Sequence, residues 1–212
     1  IAGELAKIAP GETLDAARFI ERRCYLSTSV VKRDPFFVIN VENTSAPEIL
    51  GYLKIPGFIR YLQSYDENHV IGVGRNEFNK VKISLFDVSN VSAPIELASY
   101  ALNEGDWTDT ATLADHKALL FDLAKDLLAI PIAINFYSNS TVRQSLYVFN
   151  ITLKDGLVLK GTITHQSTGD YMDSSYYVRR ALYIENILYT VSDKKVKLND
   201  LRNLTFIKEI SI

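Results

Sequence analysis

The densest group of side chains that could bind a ligand or catalyse a reaction lies between Asp106 and His116. Asp106, Trp107, Asp109, Asp115 and His116 fall within eleven residues. Carboxylates and an imidazole can hold a hard divalent cation such as Ca²⁺ or act as general acid and base. The same residue types also make the hydrogen bonds that cap a turn before a strand. Asp106, Asp109 and Asp115 are therefore candidate metal ligands, with turn capping as the structural alternative, and no other cofactor is expected.

A second group of acidic and aromatic residues follows at Asp170, Tyr171 and Asp173, with two further tyrosines at 176 and 177. Loops at one rim of a rigid scaffold often carry the binding residues, although exposed loops are polar in any case. We expect these side chains and the first group to converge with Arg33, Asp34 and Arg75. The candidate binding residues are Arg33, Arg75, Asp106, Trp107, Asp109, Asp115, His116, Asp170, Tyr171 and Asp173.

Other motifs favour structure over catalysis. His69 follows the Asp66–Asn68 turn and is expected to pack against that turn or cap it. Gly72-Val-Gly74 lacks the third glycine of a dinucleotide loop and falls within a predicted strand. The chain has no Gly-x-Ser-x-Gly, His-Glu-x-x-His, Walker or Cys-x-x-Cys motif. We assign no catalytic residue and favour a protein that is not an enzyme.

Composition places the chain among folded globular proteins. It has 212 residues, 47% of them hydrophobic, with 23 Lys and Arg against 25 Asp and Glu for a net charge of −2. This balance gives no general attraction to nucleic acid. Cys24 is the single cysteine, so no internal disulfide can form. The longest apolar stretch, 118–136, is interrupted by three charged residues and is not expected to span a membrane.

An internal repeat dominates the sequence. Val38–Pro47 returns as Leu85–Pro94, an offset of 47 residues, and weaker copies surround Asn150 and Asp200. A period of 40–50 residues with strand-like content is typical of propeller blades. Ser45–Pro47 and Ser92–Pro94 should therefore form the same turn between a third and a fourth strand. The polar inserts 103–115 and 135–144, which lengthen the third interval, are expected to be loops.

Each copy of the repeat is flanked by strand signals on both sides. A predicted hairpin precedes it, and one more apolar run follows it, so each unit has four strands. The first strands should carry Phe19, Leu62, Leu120 and Leu182, and more than half of the chain should be strand. Stacking such sheets covers their apolar faces. We expect blades at 16–55, 58–102, 116–164 and 178–212, with 1–15 as the remnant of a preceding blade.

Several segments resemble a family of secreted β-propeller-domain proteins of archaea and bacteria, whose role is not established. The segments that carry the resemblance are Phe37–Val41, Leu53–Gly57, Ser64–Gly74, Ser84–Ser89, Asp115–Asp122 and Tyr189–Asp193. The resemblance implies an extracytoplasmic all-β propeller, with this chain matching the C-terminal part of a longer member. Missing upstream blades or a second copy would then complete the ring. A closed four-bladed ring, with Gly3–Ile8 paired to Phe206–Ile212, is the alternative.

Five Asn-x-Ser/Thr sequons, at Asn43, Asn90, Asn139, Asn150 and Asn203, exceed the roughly two expected by chance. Such an excess suits an exported surface protein, although the repeat's own turn generates two of them. The leading hypothesis is a binding or structural module at the cell surface that contacts protein or glycan. The alternative is a divalent-cation-dependent hydrolase or lyase that uses the acidic rim.

Overall fold

The computed structural model describes residues 2–29 and 33–212; the side chains of Arg33 and Asp34 lie outside this description. The chain folds as two compact units, Ile1–Ala101 and Leu102–Ile212. More than half of the chain is β-strand, and the helical content of the described residues is limited to short 3₁₀ turns. None of these turns approaches the length or hydrophobicity of a membrane-spanning helix.

The first unit contains two four-stranded antiparallel sheets, each a simple meander in chain order. The strands of the first sheet are β1 (Thr13–Ile20), β2 (Arg23–Ser29), β3 (Arg33–Asn40) and β4 (Glu48–Pro56). The strands of the second sheet are β5 (Phe58–Ser64), β6 (His69–Arg75), β7 (Val81–Asp87) and β8 (Ile95–Ala101).

The second unit contains two further meanders of the same order. The third sheet has β10 (Leu120–Asp122), β11 (Leu127–Phe136), β12 (Thr141–Thr152) and β13 (Gly156–Ile163), and β9 (Trp107–Asp109) pairs with β11 as a fifth strand. The fourth sheet has β14 (Arg180–Ile184), β15 (Ile187–Val191), β16 (Lys195–Asp200) and β17 (Phe206–Ser211).

These sheets confirm the predicted all-β, four-sheet propeller pattern. Each predicted hairpin forms the first two strands of a sheet. Phe19, Leu62, Leu120 and Leu182 lie on the first strands, as expected. Their burial differs, because Leu62 is buried whereas Phe19 and Leu182 are exposed.

The same backbone hydrogen bond recurs near the end of the third strand of every sheet. The residue after Asn40, Asp87, Asn150 or Asp200 donates its backbone N–H, over 2.8 Å in each sheet, to a carbonyl in the turn between the first two strands. In three sheets the Asn or Asp side chain also accepts the N–H two residues on. The predicted 47-residue equivalence is confirmed, since Ala46 and Ala93 donate to Asn43 and Asn90 over 3.0 Å in matching turns.

A β-bulge also recurs at one position in all four sheets. The register shifts directly after Val38, Leu85, Val148 and Leu198, each two residues before the repeated Asn or Asp. The extra residue lies on the fourth strand. Bulges increase local twist, so the outer pair of strands bends at the same place in every sheet.

Residues 2–9 lie against the first sheet without forming a strand. Leu5, Ile8 and Ala9 pack on the buried side chains of Cys24, Phe37 and Ile39. A Cβ at Gly3 would lie 2.2 Å from the Thr44 carbonyl oxygen, and one at Gly51 would lie 2.1 Å from that of Val91. Gly3 therefore packs against the turn of the first sheet as Gly51 of β4 packs against the turn of the second.

The prediction that both inserts are loops was wrong for 135–144, whereas 103–115 is a loop that contains the short strand β9 and a 3₁₀ turn at Ala111–Leu113. Residues 107–109 form β9, and the 135–144 segment lengthens β11 and β12 around a 3₁₀ turn at Tyr137–Asn139. The polar composition reflects exposure of the hairpin tip. Backbone pairing is continuous from Phe136 opposite Thr141 to Leu127 opposite Asn150. The polarity of the side chains does not predict this backbone pairing.

The core of the first unit lies between its two sheets. Phe36 is fully buried there and stacks on Tyr25 of its own sheet and on Phe86 of the second sheet, with ring centroids 5.9 Å and 4.7 Å apart. In the second unit, Leu146 and Val148 of the third sheet pack with Leu188 and Leu201 of the fourth.

Replacement of Phe36 by Ala should lower the free energy of unfolding by about 3–5 kcal/mol, because it removes a buried ring that contacts both sheets. Urea denaturation measures the loss. Phe78→Ala is the matched control, since the Phe78 side chain is 73% exposed and its loss should change stability by less than about 0.5 kcal/mol. Equal losses in the two variants would contradict this account of the core.

Candidate functional site

Asp106 supports the long hairpin of the third sheet. Its Oδ2 accepts a hydrogen bond from the backbone N–H of Tyr137 over 2.6 Å, and its own N–H donates to Asn135 O over 2.8 Å. Trp107 and Asp109 follow in β9, where they pair with Asn135 and Ala133. Asp106 thus has a structural task in joining the first insert to the hairpin tip.

Asp115 serves as a cap and as half of an ion pair. Its side chain accepts the Lys117 N–H over 3.0 Å at the start of the 3₁₀ turn His116–Ala118 and pairs with Arg180 of β14. The Lys117 N–H and the Arg180 guanidinium hold the pKa of the Asp115 carboxyl below its usual range. His116 is exposed in that turn.

The three candidate metal-ligand carboxylates therefore lie in different local structures. Asp106 is bonded to the hairpin tip, Asp109 lies within β9, and Asp115 caps a separate turn. Over residues 2–29 and 33–212, no group of three or more His, Cys, Asp or Glu side chains is arranged to hold a metal ion.

Two buried glutamines fix residues 164–178, the segment that carries the second group of candidate binding residues, to β12. The Gln144 amide bonds both backbone groups of Val178, accepting its N–H over 2.8 Å and donating to its oxygen over 3.0 Å. Gln166 Oε1 accepts the Gln144 N–H over 2.7 Å, and Gln166 Nε2 donates to Val142 O over 3.0 Å. Because both amides are buried, each lost bond would leave an unpaired polar group.

The acidic residues of this loop also stabilise its turns. Asp170 accepts the Ser167 N–H over 2.9 Å, and Asp173 accepts the Ser175 N–H over 2.9 Å at the start of a 3₁₀ turn. Hydrogen bonds from Ser175 lower the pKa of the Asp173 carboxyl. Tyr171, between them, is only half-buried.

Tyr171 lines an open depression beside β12, which we call the third-sheet cleft. Its volume is about 440 Å³, and its lining is rich in hydroxyl, amide and guanidinium groups: Arg143, Ser145, Thr164, Gln166, Ser167, Thr168 and Tyr171. The Arg143 guanidinium lies 4.9 Å from the centre of the Phe136 ring. Tyr171 is the one cleft residue that the sequence singled out as a binding residue.

The predicted arginine partners belong to the first unit. Arg75, near the end of β6, is buried and donates from Nη1 to Asn79 O over 3.1 Å. The Arg33 side chain lies outside the described residues. Their convergence with the acidic loops stays a prediction.

His69 has the turn-capping role that the sequence favoured. Its Nδ1 lies 2.8 Å from Asp66 Oδ1, and its Nε2 lies 3.9 Å from Asp87 Oδ1. The ring also meets Tyr65 edge-on, with centroids 6.1 Å apart. His69 therefore joins the turn between β5 and β6 to the end of β7.

His165 is the polar core residue that sequence reasoning did not assign. It is fully buried, with Nδ1 2.8 Å from Ser192 Oγ and Nε2 2.7 Å from Thr190 Oγ1. A neutral imidazole satisfies both contacts, because one ring nitrogen donates and the other accepts. Burial, assisted by the positive charges of Lys197 and Lys195, lowers the His165 pKa to about 4.

Four antiparallel four-stranded sheets that share one bulge and one turn hydrogen bond define a β-propeller fold. The chain belongs to the Beta propeller domain family, whose model matches residues 1–204. This membership confirms the β-propeller resemblance found in the sequence.

Two archaeal relatives are uncharacterised proteins. One from Archaeoglobus fulgidus is 34% identical over 200 residues, which cover 94% of this chain and 28% of that protein. One from Methanocaldococcus jannaschii is 32% identical over 210 residues, which cover 99% of this chain and 30% of that protein. The chain thus spans less than a third of the length of these relatives.

Solved structures at low sequence identity share the fold. A Lactobacillus plantarum protein superposes with a TM-score of 0.58 at 14% identity, covering 99% of this chain and 58% of that one. Apo AztD from Citrobacter koseri gives a TM-score of 0.55 at 14% identity, covering 94% of this chain and 47% of that one. At these identities the likeness concerns the fold alone.

The buried neutral His165 should make stability depend on pH. Its pKa is about 6.5 when unfolded and about 4 when folded, so its contribution is complete above pH 6.5 and falls as the pH drops toward 4, by roughly 3 kcal/mol in total. Urea midpoints from pH 4 to 7.5 measure this. His165→Gln should be less stable at pH 7.5 but show a flatter profile, whereas His116→Gln should keep the wild-type slope. An unchanged slope in His165→Gln would refute the assignment.

Proposed function

We propose that this protein is an extracytoplasmic binding module of the cell surface and that its third-sheet cleft takes a glycan. The observation that carries the proposal is the composition of the cleft, which combines a tyrosine ring, several hydroxyl groups and a guanidinium. Sugars present apolar C–H faces and many hydroxyl groups, so an aromatic ring with nearby polar groups suits them.

The cleft residues have distinct roles in this proposal. The Tyr171 ring would lie against a sugar face, and the hydroxyl groups of Ser145 and Thr168 would exchange hydrogen bonds with sugar hydroxyls. The Arg143 guanidinium supplies up to five N–H donors and favours a sugar with a carboxylate. Uronic-acid glycans are therefore the preferred class.

The backbone around the cleft is held in place before any ligand arrives. Thr164 Oγ1 donates to Gln144 O over 2.8 Å, and Gln166 Nε2 donates to Asp170 O over 3.3 Å. The first bond ties Thr164 to β12, and the second closes the loop between Gln166 and Asp170. A preorganised site loses less conformational entropy on binding. A shallow cleft can therefore bind a glycan with fewer contacts than a mobile site would need.

Two features of the sequence support a location outside the cytoplasm. The resemblance is to secreted proteins, and the sequons exceed their chance number. Glycans are abundant at the cell surface, so a glycan-binding cleft is consistent with an extracytoplasmic location.

Binding to arrays of neutral and uronic-acid hexasaccharides tests the proposal. The wild-type protein should bind uronic-acid members, and Tyr171→Ala and Arg143→Gln should each weaken binding about tenfold, equivalent to about 1.4 kcal/mol. Tyr137→Ala is the matched control, because Tyr137 is 70% exposed and lies outside the cleft.

Three outcomes would overturn parts of this proposal. No binding to any hexasaccharide would reject the glycan ligand, and equal losses in Tyr171→Ala and Tyr137→Ala would reject the cleft as the site. Unchanged binding of uronic-acid members by Arg143→Gln would reject the carboxylate preference.

A further inference from the structure

We propose that Asn139, at the tip of the hairpin between β11 and β12, is the acceptor of an N-linked glycan. The inference rests on the proposed extracytoplasmic location but does not depend on what the third-sheet cleft binds. Asn139 would be a covalent modification site, and the group attached to it would be an oligosaccharide transferred from a lipid phosphate carrier.

The position of Asn139 in the hairpin makes it accessible. The paired strands end at Phe136 and Thr141, and Asn139 lies in the 3₁₀ turn that joins them. Asn139 and Ser140 are exposed, and Thr141 is half-buried. An exposed Asn-x-Thr in a surface loop is the pattern that the modification requires.

The sequon hydroxyl already lies on the acceptor amide. Thr141 Oγ1 donates to Asn139 Oδ1 over 2.6 Å. This bond leaves the amide nitrogen of Asn139 turned away from the hydroxyl. The nitrogen is the atom that must react.

The other four sequons are embedded in the architecture of the sheets. Asn150 lies within β12, and its backbone is paired on both sides with Leu127 and Val158. The middle residue of the Asn203 sequon, Leu204, packs into the core of the second unit. Glycosylation of either would require local opening of its sheet or turn.

The Asn43 and Asn90 sequons are part of the repeated turn itself. The carbonyls of their middle residues, Thr44 and Val91, are approached closely by the backbone at Gly3 and Gly51. The Asn43 side chain also caps its turn by accepting the Ser45 N–H over 3.1 Å. The turn of Asn139 is held from outside as well, because Asp106 accepts the Tyr137 N–H, but that contact lies two residues before the acceptor.

The transfer needs one co-reactant, the oligosaccharide bound to a lipid phosphate. The amide nitrogen of Asn139 forms a bond to the anomeric carbon of the oligosaccharide, and the bond between that carbon and the lipid phosphate oxygen breaks. The amide proton leaves to a base of the transferase. The lipid phosphate is the leaving group, and nothing is oxidised or reduced.

The test is peptide mapping by mass spectrometry of the full-length protein, produced in its native host and recovered from the cell envelope and the cytoplasm. The peptide containing Asn139 should carry a sugar mass increment. Asn139→Gln and Thr141→Ala should abolish that increment, and Thr141→Ser should retain it, because serine keeps the hydroxyl. Ser140→Ala and Asn150→Gln are controls that should leave it unchanged.

The outcomes separate this inference from the proposed function. An exported protein with unmodified Asn139 overturns the inference and leaves the location intact. A protein found only in the cytoplasm overturns both. An increment that survives Thr141→Ala shows a modification that does not use the sequon, and it also overturns the inference.

Discussion

The structure depends on burying the apolar faces of its sheets against neighbouring sheets. A single four-stranded meander has two such faces and cannot cover both alone. In the first unit Tyr25, Phe36 and Val38 fill the space between two sheets, and in the second unit Leu146 and Val148 do the same. Side chains alternate between the two faces of a strand, so this packing requires a strict register.

The repeated polar turn sets that register. One backbone hydrogen bond joins the last part of each third strand to the first turn of its sheet. The register shift of the bulge comes directly after the residue two positions before the same Asn or Asp. A shift by one residue would turn Val38 or Val148 to the opposite face. The conserved geometry of the turn across the four sheets thus keeps the packing faces aligned, while the residues on those faces vary in size.

The candidate site lies where the third sheet departs from this repeat. The added β9, the lengthened hairpin and the 164–178 loop bring polar groups beyond the pattern common to the other sheets. Most acidic residues there hold the insertions together, as Asp106 does at the hairpin tip and Asp115 does with Arg180. Arg143 and Ser145 line the cleft from β12 and Tyr171 lines it from the 164–178 loop, whereas Asn139 lies at the hairpin tip.

The sequence by itself determined the fold class, the four units and their hairpins, because strand alternation and turn chemistry are local and repeat along the chain. It also predicted the turn-capping role of His69, whereas the binding role of Tyr171 stays a prediction. Only the tertiary structure decided that Asp106 supports the hairpin tip and Asp115 caps a turn, that residues 135–144 form the tip of a paired hairpin, and that Gln144, Gln166 and His165 form buried polar contacts. These three buried residues bond to groups 22 to 34 residues away, and side-chain type does not reveal which distant groups folding will bring within hydrogen-bond distance.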